Sequence, residues 1–122
     1  MEQVRIGVIG AGRMGQNHCR VYSNLKNIKF VGICDVSPER GREVARTYEV
    51  SYFRDVNSLL ENVDAVSICT PTPDHFDLVM QCLDRDIHIL VEKPFTETLE
   101  QAQALKEAAD AKNDLVVQVG HI

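Results

Sequence analysis

The sequence opens with a short apolar run, VRIGVI at Val4–Ile9, that leads directly into a glycine-rich turn, GAGRMG at residues 10–15. The β-branched residues of the run predict a buried strand, and the apolar spacing from Met14 to Leu25 predicts a helix. A G-x-G-x-x-G pattern between a strand and a helix is the phosphate-binding turn of dinucleotide-binding βαβ units. The motif therefore predicts a dinucleotide site, with a glycine turn that holds no ligand as the alternative.

Each glycine of the turn has its own predicted role. Gly10 allows the tight turn, Gly12 lets a pyrophosphate approach the backbone, and Gly15 lets the helix pack closely on the strand. The pyrophosphate would bind the unpaired N–H groups at the helix N-terminus, where the helix dipole also favours negative charge. The predicted cofactor-binding residues of this turn are Gly10, Ala11, Gly12, Arg13, Met14 and Gly15.

The rest of the chain alternates strand-like and helical segments. Caps mark further helices: Ser37 before a first-turn proline, Asp74, and Thr96 or Thr98. Strands that are almost continuously apolar are typical of a parallel sheet covered on both faces. The sequence thus predicts an α/β fold, a Rossmann doubly wound parallel sheet of about six strands with helices on both faces. Besides Val4–Ile9, the predicted strands are residues 28–34, 50–53, 65–69, 87–91 and 115–119.

Asp35 stands at the end of the second predicted strand, twenty residues beyond Gly15. A carboxylate at this place accepts hydrogen bonds from both hydroxyls of the adenosine ribose and repels a 2′-phosphate. That favours NAD over NADP as the cofactor, although Arg40 could counter a phosphate instead. Asp35 and Arg40 are both candidate cofactor-binding residues. The alternative for Asp35 is a turn or helix-capping acid ahead of Ser37 and Pro38.

Two loops after later strands carry the other candidate residues, TPTPDH at residues 70–75 and EKPF at residues 92–95. Ligands of open α/β sheets bind beyond the carboxyl ends of the strands, where both loops begin. The prolines of the first loop should delay helix entry, so Thr70 and Thr72 are expected to face the cofactor. Lys93 could donate or accept a proton if it is partly desolvated, but a lysine in a loop is more often solvated.

Together, the GAGRMG turn, Asp35, the CTPTPDH segment at residues 69–75 and the EKP triplet at residues 92–94 resemble the N-terminal domain of the glucose–fructose oxidoreductase, inositol dehydrogenase and MocA family. The resemblance covers essentially the whole chain. It implies an oxidoreductase that moves hydride between a nicotinamide and a hydroxyl-bearing carbon of a sugar, cyclitol or nucleotide sugar. It also implies that Lys93 is catalytic, in proton transfer or substrate binding. The residues that these loops add to the cofactor-binding set are Thr70, Pro71, Thr72, His75, Glu92 and Lys93.

The family pattern bears on further details. Thr72 stands where the family often has Asn, and the family's peptide before Pro94 is often cis. Gly120 and His121 resemble the start of the segment that leads into a second domain. We therefore expect residues 1–122 to be the NAD(P)-binding domain of a longer protein, without the family's C-terminal open-sheet domain. His121 is then either on the substrate side or a strand-end residue; the fragment alone should be inactive, and the longer protein a homo-oligomer.

Composition excludes several classes of partner. The chain carries 18 Asp and Glu against 13 Lys and Arg, a net charge of −5, which gives no basic footprint for nucleic acid or an anionic lipid surface. No apolar run is long enough to cross a membrane, and the N-terminus lacks a secretory pattern, so a cytoplasmic protein is expected. The expected partner is a small sugar-like substrate.

The cysteines and histidines show no metal-binding spacing, so no metal is predicted. Cys19, Cys34, Cys69 and Cys82 are scattered through apolar segments, which favours buried structural thiols. Two other functions stay open, a non-catalytic dinucleotide sensor and an aldehyde-type dehydrogenase that uses a thiolate. The EKP triplet argues against the sensor, and the lack of a cysteine in a basic setting argues against the thiolate enzyme.

Overall fold

The computed structural model describes residues 3–93, 95–112 and 114–120. Strands and helices alternate along the chain. The strands are β1 (Val4–Ile9), β2 (Ile28–Cys34), β3 (Ser51–Phe53), β4 (Ala65–Ile68), β5 (His88–Glu92) and β6 (Val117–Gly120). The helices are α1 (Arg13–Ser23), α2 (Pro38–Thr47), α3 (Val56–Leu60), α4 (His75–Asp84) and α5 (Leu99–Asp110), and a 3₁₀ turn at Thr72–Asp74 precedes α4.

The six strands form a parallel sheet in the order β3-β2-β1-β4-β5-β6. The chain builds outward from β1 through β2 to β3, and then returns to the other side of β1 with β4. A change of direction of this kind is the switch point at which doubly wound sheets bind ligands. The predicted α/β fold of about six parallel strands is confirmed.

Apolar side chains cover both faces of the sheet, because neighbouring residues of a strand point to opposite sides. On β1, Val8 belongs to a core layer shared with α1 and α2, whereas Ile9 belongs to a layer shared with α3, α4 and α5. Ile33 and Cys34 of β2 divide in the same way. The helices therefore lie on both faces, as predicted.

Helix α1 packs on the sheet through part of the face that its apolar spacing predicts, because His18 is buried and Tyr22 packs against the core. Its buried residues are Gly15, His18 and Cys19, whereas Met14 is 42% exposed. Leu25 is 45% exposed and lies beyond the end of the helix. The rotation of α1 is fixed by Gly15, whose α-carbon packs so closely on the carbonyl of Gly10 that a side chain would overlap it.

Most helix starts follow the expected caps. The side chains of Ser37 and Thr98 accept hydrogen bonds from the amides three residues on, and Asp55 caps the unpredicted helix α3 in the same way. Thr96 is not a cap, because its hydroxyl donates to the carbonyl of Thr98. Asp74 occupies the N-cap position of α4 without a capping hydrogen bond from its side chain within the described residues. A 3₁₀ turn follows Pro71, and the α-helix begins only at His75, so the expected delay of helix entry is confirmed.

Three of the four cysteines are buried and the fourth is half-buried; all four are free thiols. Burial raises the pKa of Cys34 to about 11 and the pKa values of Cys19 and Cys82 to about 12. These thiols are therefore protonated at neutral pH, in agreement with a structural role. Within the described ranges, no group of three or more His, Cys, Asp or Glu could hold a metal ion. No helix in the described part of the chain has the length and apolar character needed to cross a membrane.

Candidate cofactor-binding site

A cleft of about 520 Å³ opens at the carboxyl edge of the sheet, around the ends of β1, β2 and β4. The glycine turn after β1, residues 34–36 and the loop after β4 supply much of its wall. This is the switch point of the sheet, and the volume is within the range of about 300–1,000 Å³ typical of ligand sites. The fold thus creates a ligand-sized space where the sequence motifs predict one.

Gly10 joins the glycine turn to both neighbouring strands. Its amide donates to the carbonyl of Cys34 at 2.8 Å, and the amide of Cys69 donates to the carbonyl of Ile9 at 2.8 Å. Gly10 has a φ of 102°, and a side chain here would lie 2.8 Å from the carbonyl group of Cys69. Only glycine fits this turn without strain.

The start of α1 leaves room for an anion. The first helical hydrogen bond runs from the amide of Gln16 to the carbonyl of Gly12 at 2.9 Å, so the amides of residues 13–15 precede the helical ladder. No acidic residue occupies the first turn, and Gly12 lines the cleft with open space beside its α-carbon. The predicted close packing of Gly15 and tight turn at Gly10 are confirmed. The contact of Gly12 with a pyrophosphate stays a prediction.

Asp35 is held by three donors. Its Oδ1 accepts a hydrogen bond from the amide of Ala11 at 2.7 Å, and its Oδ2 accepts one from the amide of Ser37 at 2.9 Å. The guanidinium of Arg40 donates to both oxygens at 3.0 Å. Burial raises the pKa of Asp35, but the hydrogen bonds outweigh burial and hold the pKa below its ordinary value. Asp35 is therefore an ionised residue in the wall of the cleft. It is also a turn acid, the alternative interpretation from the sequence, because it accepts a hydrogen bond from the amide of Ser37.

Arg40 lines the cleft with its side chain half exposed. The sequence predicts Arg40 as a cofactor-binding residue that could counter a phosphate, and the structure shows its guanidinium in an ion pair with Asp35. A phosphate would have to compete with this carboxylate for the same N–H groups. The pairing lowers the capacity of Arg40 to receive a 2′-phosphate.

Two buried imidazoles contact the segments around the ends of β4 and β5. His75 is 1% exposed, with Nε2 at 2.8 Å from the carbonyl of Thr70 and Nδ1 at 3.0 Å from the carbonyl of Phe95. Glu92 is 8% exposed, and its carboxylate lies 2.8 Å from Nε2 of His18 on α1. Lys93 is exposed at the carboxyl end of β5.

Residues 4–121 match the model of the Gfo/Idh/MocA family, which is described as an oxidoreductase family with an NAD-binding Rossmann fold. The chain belongs to this family. The resemblance deduced from the GAGRMG turn and the EKP triplet is thereby confirmed.

Several named dehydrogenases are similar to this Gfo/Idh/MocA chain in sequence and structure. The UDP-N-acetylglucosamine 3-dehydrogenase of Acidithiobacillus ferrooxidans is 40% identical over 122 residues, which is all of this chain and 38% of that protein. Its solved structure superposes on 98% of this chain and 39% of its own, with a TM-score of 0.91. An inositol 2-dehydrogenase of Rubrobacter xylanophilus is 31% identical over 98% of this chain and 35% of that protein.

The chain spans little more than a third of the length of these relatives. A structure of GenD2 in complex with NAD superposes with a TM-score of 0.92 at 24% identity, over 98% of this chain and 35% of that one. At this identity the likeness shows the Rossmann fold and no more.

Some predicted site residues of this Gfo/Idh/MocA domain line the cleft, and others do not. Ala11 and Gly15 are buried, and Arg13 and Met14 are exposed at the start of α1. Thr72 begins the 3₁₀ turn. The predicted residues that line the cleft are Gly10, Gly12, Asp35, Arg40, Thr70 and Pro71.

Glu92 and His75, which the sequence predicts as cofactor-binding residues, are not among the residues that line the cleft. Both side chains are buried and hydrogen-bonded to protein groups. Lys93 is not among the residues that line the cleft. The cis peptide at Pro94 and the role of His121 lie outside the described residues.

Sequence reasoning missed part of the cleft wall: Val36, Val56, Asp74, Asp77 and Leu78. Val36 is 94% exposed directly after Asp35, and Val56 begins α3. The signal for α3 was Asp55 followed by Val56, Leu59 and Leu60 at helical spacing. Asp77 and Leu78 follow from the first turn of α4 once its start at His75 is known.

Proposed function

We propose that this chain is the NAD-binding half of a dehydrogenase that moves hydride between the nicotinamide and a hydroxyl-bearing carbon of a sugar, cyclitol or nucleotide sugar. The observation that carries the proposal is the cleft itself, where the open backbone at Gly12 and the ionised Asp35 share one wall. Open backbone at a helix N-terminus suits a diphosphate, and an ionised carboxylate suits the hydroxyls of a ribose.

The residues present fit a dinucleotide. The diphosphate would lie over Gly12 against the amides that precede the ladder of α1. The ribose would donate to Asp35 at sites that Arg40 now occupies, because the amides of Ala11 and Ser37 and the guanidinium of Arg40 together use the lone pairs of both oxygens. The hydroxyl of Thr70 is buried at the cleft wall and has no hydrogen-bond partner in the described part of the chain.

NAD is preferred to NADP in this proposal because of the pair formed by Asp35 and Arg40. A 2′-phosphate would bring negative charge to a carboxylate that is 2% exposed and ionised. Arg40 could bind that phosphate only by giving up hydrogen bonds to Asp35. Both changes oppose NADP.

The bound nicotinamide would supply the hydride chemistry, and the chain would orient it and manage the proton of the substrate hydroxyl. Lys93 is the group proposed for that proton, since it follows β5 at the same edge of the sheet as the cleft. Substrate selection is assigned to the remainder of a longer, homo-oligomeric protein. UDP-N-acetylglucosamine and inositol, from the names of the relatives, are the first substrates to assay.

Titration of NADH into the chain, followed by fluorescence and calorimetry, tests the proposal. Gly12 has φ −74° and ψ −165°, which alanine adopts freely, so Gly12→Ala should fold normally. Its methyl group would fill the space proposed for the diphosphate and weaken NADH binding about tenfold or more, or at least about 1.4 kcal/mol.

Asn17→Ala, on the exposed side of α1, is the matched control and should bind like the wild type. NADPH should bind more weakly than NADH. The proposal fails if the wild-type chain binds neither coenzyme, or if Gly12→Ala binds NADH as tightly as Asn17→Ala does.

A further inference from the structure

Two buried imidazoles hold the chain on either side of Lys93. His18 contacts the residue just before it, through the carboxylate of Glu92 at 2.8 Å. His75 contacts the chain two residues after it, through the carbonyl of Phe95 at 3.0 Å. We propose that His18 and His75 are positioning residues that fix Lys93 relative to the cofactor cleft, an inference that rests on the proposed role of Lys93.

His18 joins the end of β5 to α1. It is fully buried, one helical turn after Gly15, and its Nδ1 has no hydrogen-bond partner within the described ranges. The tautomer that avoids burying an unpaired N–H carries its proton on Nε2 and donates it to the carboxylate of Glu92. Filling a core would not need this arrangement, because burying a carboxylate and an imidazole costs solvation that an apolar pair would not lose.

His75 joins the loops after β4 and β5. It is the first residue of α4, and its two ring nitrogens face the carbonyls of Thr70 and Phe95. Thr70 lines the cleft, so this imidazole spans from the cleft wall to the segment that follows Lys93. Both carbonyls are acceptors, so the neutral ring donates to one of them and the doubly protonated ring to both, and in either form the ring lies between the two loops.

The contacts of His18 with Glu92 and of His75 with Phe95 fix the backbone of Lys93 relative to the cleft. α1 begins at the glycine turn and α4 begins at the loop after β4, and both of these turns line the cleft. The Lys93 side chain is exposed and has four rotatable methylenes, so its reach is defined only if its backbone is held. Proton transfer requires hydrogen-bond distance, which a loose segment would seldom satisfy.

Isosteric variants separate this role from simple packing. The amide nitrogen of Gln can replace Nε2 of histidine, and that of Asn can replace Nδ1. His18→Gln should therefore keep the donor to Glu92, whereas His18→Leu and His18→Asn should lose it. His75→Asn should keep the contact with Phe95, whereas His75→Leu should lose it.

The measurement uses the lysine ammonium groups of the intact chain. The sequence has five lysines, which can be ¹³C-methylated and observed by NMR, and Lys93→Arg assigns the signal of interest. NADH should shift the Lys93 signal in the wild type. We expect His18→Leu and His75→Leu to bind NADH within about twofold of the wild type and yet to lose most of this shift. His18→Gln and His75→Asn should restore it.

The outcomes distinguish the two proposals. If the wild type binds no NADH, the proposed function fails and this inference fails with it. If NADH binds but the Lys93 signal of the wild type does not respond, or both leucine variants keep the full wild-type shift, the positioning role is overturned while cofactor binding stands. If the leucine variants do not fold, His18→Gln and His18→Asn decide, because equal Lys93 shifts in these two would overturn the role of the Glu92 contact.

Discussion

Replacing Asp35 with Asn exchanges one oxygen for an amino group in a side chain that is only 2% exposed. Each oxygen accepts a hydrogen bond from a backbone amide, Oδ1 from Ala11 and Oδ2 from Ser37. Asn keeps one acceptor oxygen, so one of these amides must face an NH₂ group. Arg40 also loses one of the two oxygens to which it donates.

The expected loss of stability is about 3 kcal/mol. A hydrogen bond to a charged acceptor contributes about 1.5–3 kcal/mol, and a buried donor left without an acceptor costs about 1–3 kcal/mol. The ion pair with Arg40 adds less than about 1 kcal/mol, because the arginine side chain is 50% exposed and water screens it. Most of the loss should therefore come from the backbone amide that Asn cannot satisfy.

Urea unfolding followed by circular dichroism measures this loss. With an m-value of about 2 kcal/mol per molar, a loss of about 3 kcal/mol lowers the unfolding midpoint by about 1.5 M. Arg40→Gln, which leaves both backbone amides paired with Asp35, should lower it by no more than about 0.5 M. If the two variants lose equal stability, the hydrogen bonds from Ala11 and Ser37 do not carry the energy assigned to them.

The same variant predicts a pH dependence. Hydrogen bonds hold the pKa of Asp35 below its ordinary value in spite of burial, so the folded chain binds this proton less readily than the unfolded chain. The contribution of Asp35 to stability is then full above the unfolded pKa of about 3.9 and is lost as the pH falls through the folded value. The gap between wild type and Asp35→Asn should be constant from pH 7 to pH 5 and should narrow below about pH 4; a gap that widens on acidification would contradict this.

Three further predictions concern the core. Leu59→Ala, at a fully buried side chain of α3, should cost about 3 kcal/mol in urea unfolding, and a loss below about 1 kcal/mol would show that α3 is not packed as described. Gly41→Ala should destabilise the chain although alanine favours helices, because the added methyl group would overlap the ring of Tyr52. Gly120→Ala is the control and should not destabilise the chain, because open space surrounds its α-carbon. The thiol of Cys34, whose pKa burial raises to about 11, should react slowly with a disulfide reagent at pH 8 in the folded chain and quickly in urea, so rapid labelling without denaturant would refute its burial.

The bounds of a strand could be predicted from the sequence where its apolar run covers the same residues as its hydrogen-bonded ladder. Val4–Ile9 and Ile28–Cys34 agree with the predicted bounds because their apolar residues pair along the full run. The outer strand β6 begins at Val117 rather than at residue 115, since its ladder is set by β5 and not by its own sequence. Helix α3 was not predicted because it has five residues, so the helical spacing of Val56, Leu59 and Leu60 covers little more than one turn.

The glycine turn and Asp35 could be assigned from local spacing, because the motif, the strand before it and the helix after it are adjacent in the chain. The supporting contacts could not be. His18 and Glu92 are 74 residues apart, and His75 and Phe95 are 20 apart, so no local pattern reports either pairing. The exposure of Met14 and Leu25 was not predicted, because apolar spacing alone does not show which flank of α1 meets the sheet.

The central place of β1 has a consequence for the synthesis of the chain. β1 leaves the ribosome before the other strands of this sheet, but its two edges are filled by β2 and by β4, which ends at Ile68. Until β4 has been synthesised, the apolar side chains of β1 are not fully buried. Nascent chains with exposed apolar side chains bind chaperones or aggregate. The amide of Cys69, which binds the carbonyl of Ile9, emerges later still. The glycine turn, although encoded in residues 10–15, can therefore gain all its strand contacts only after more than half of these 122 residues have been synthesised.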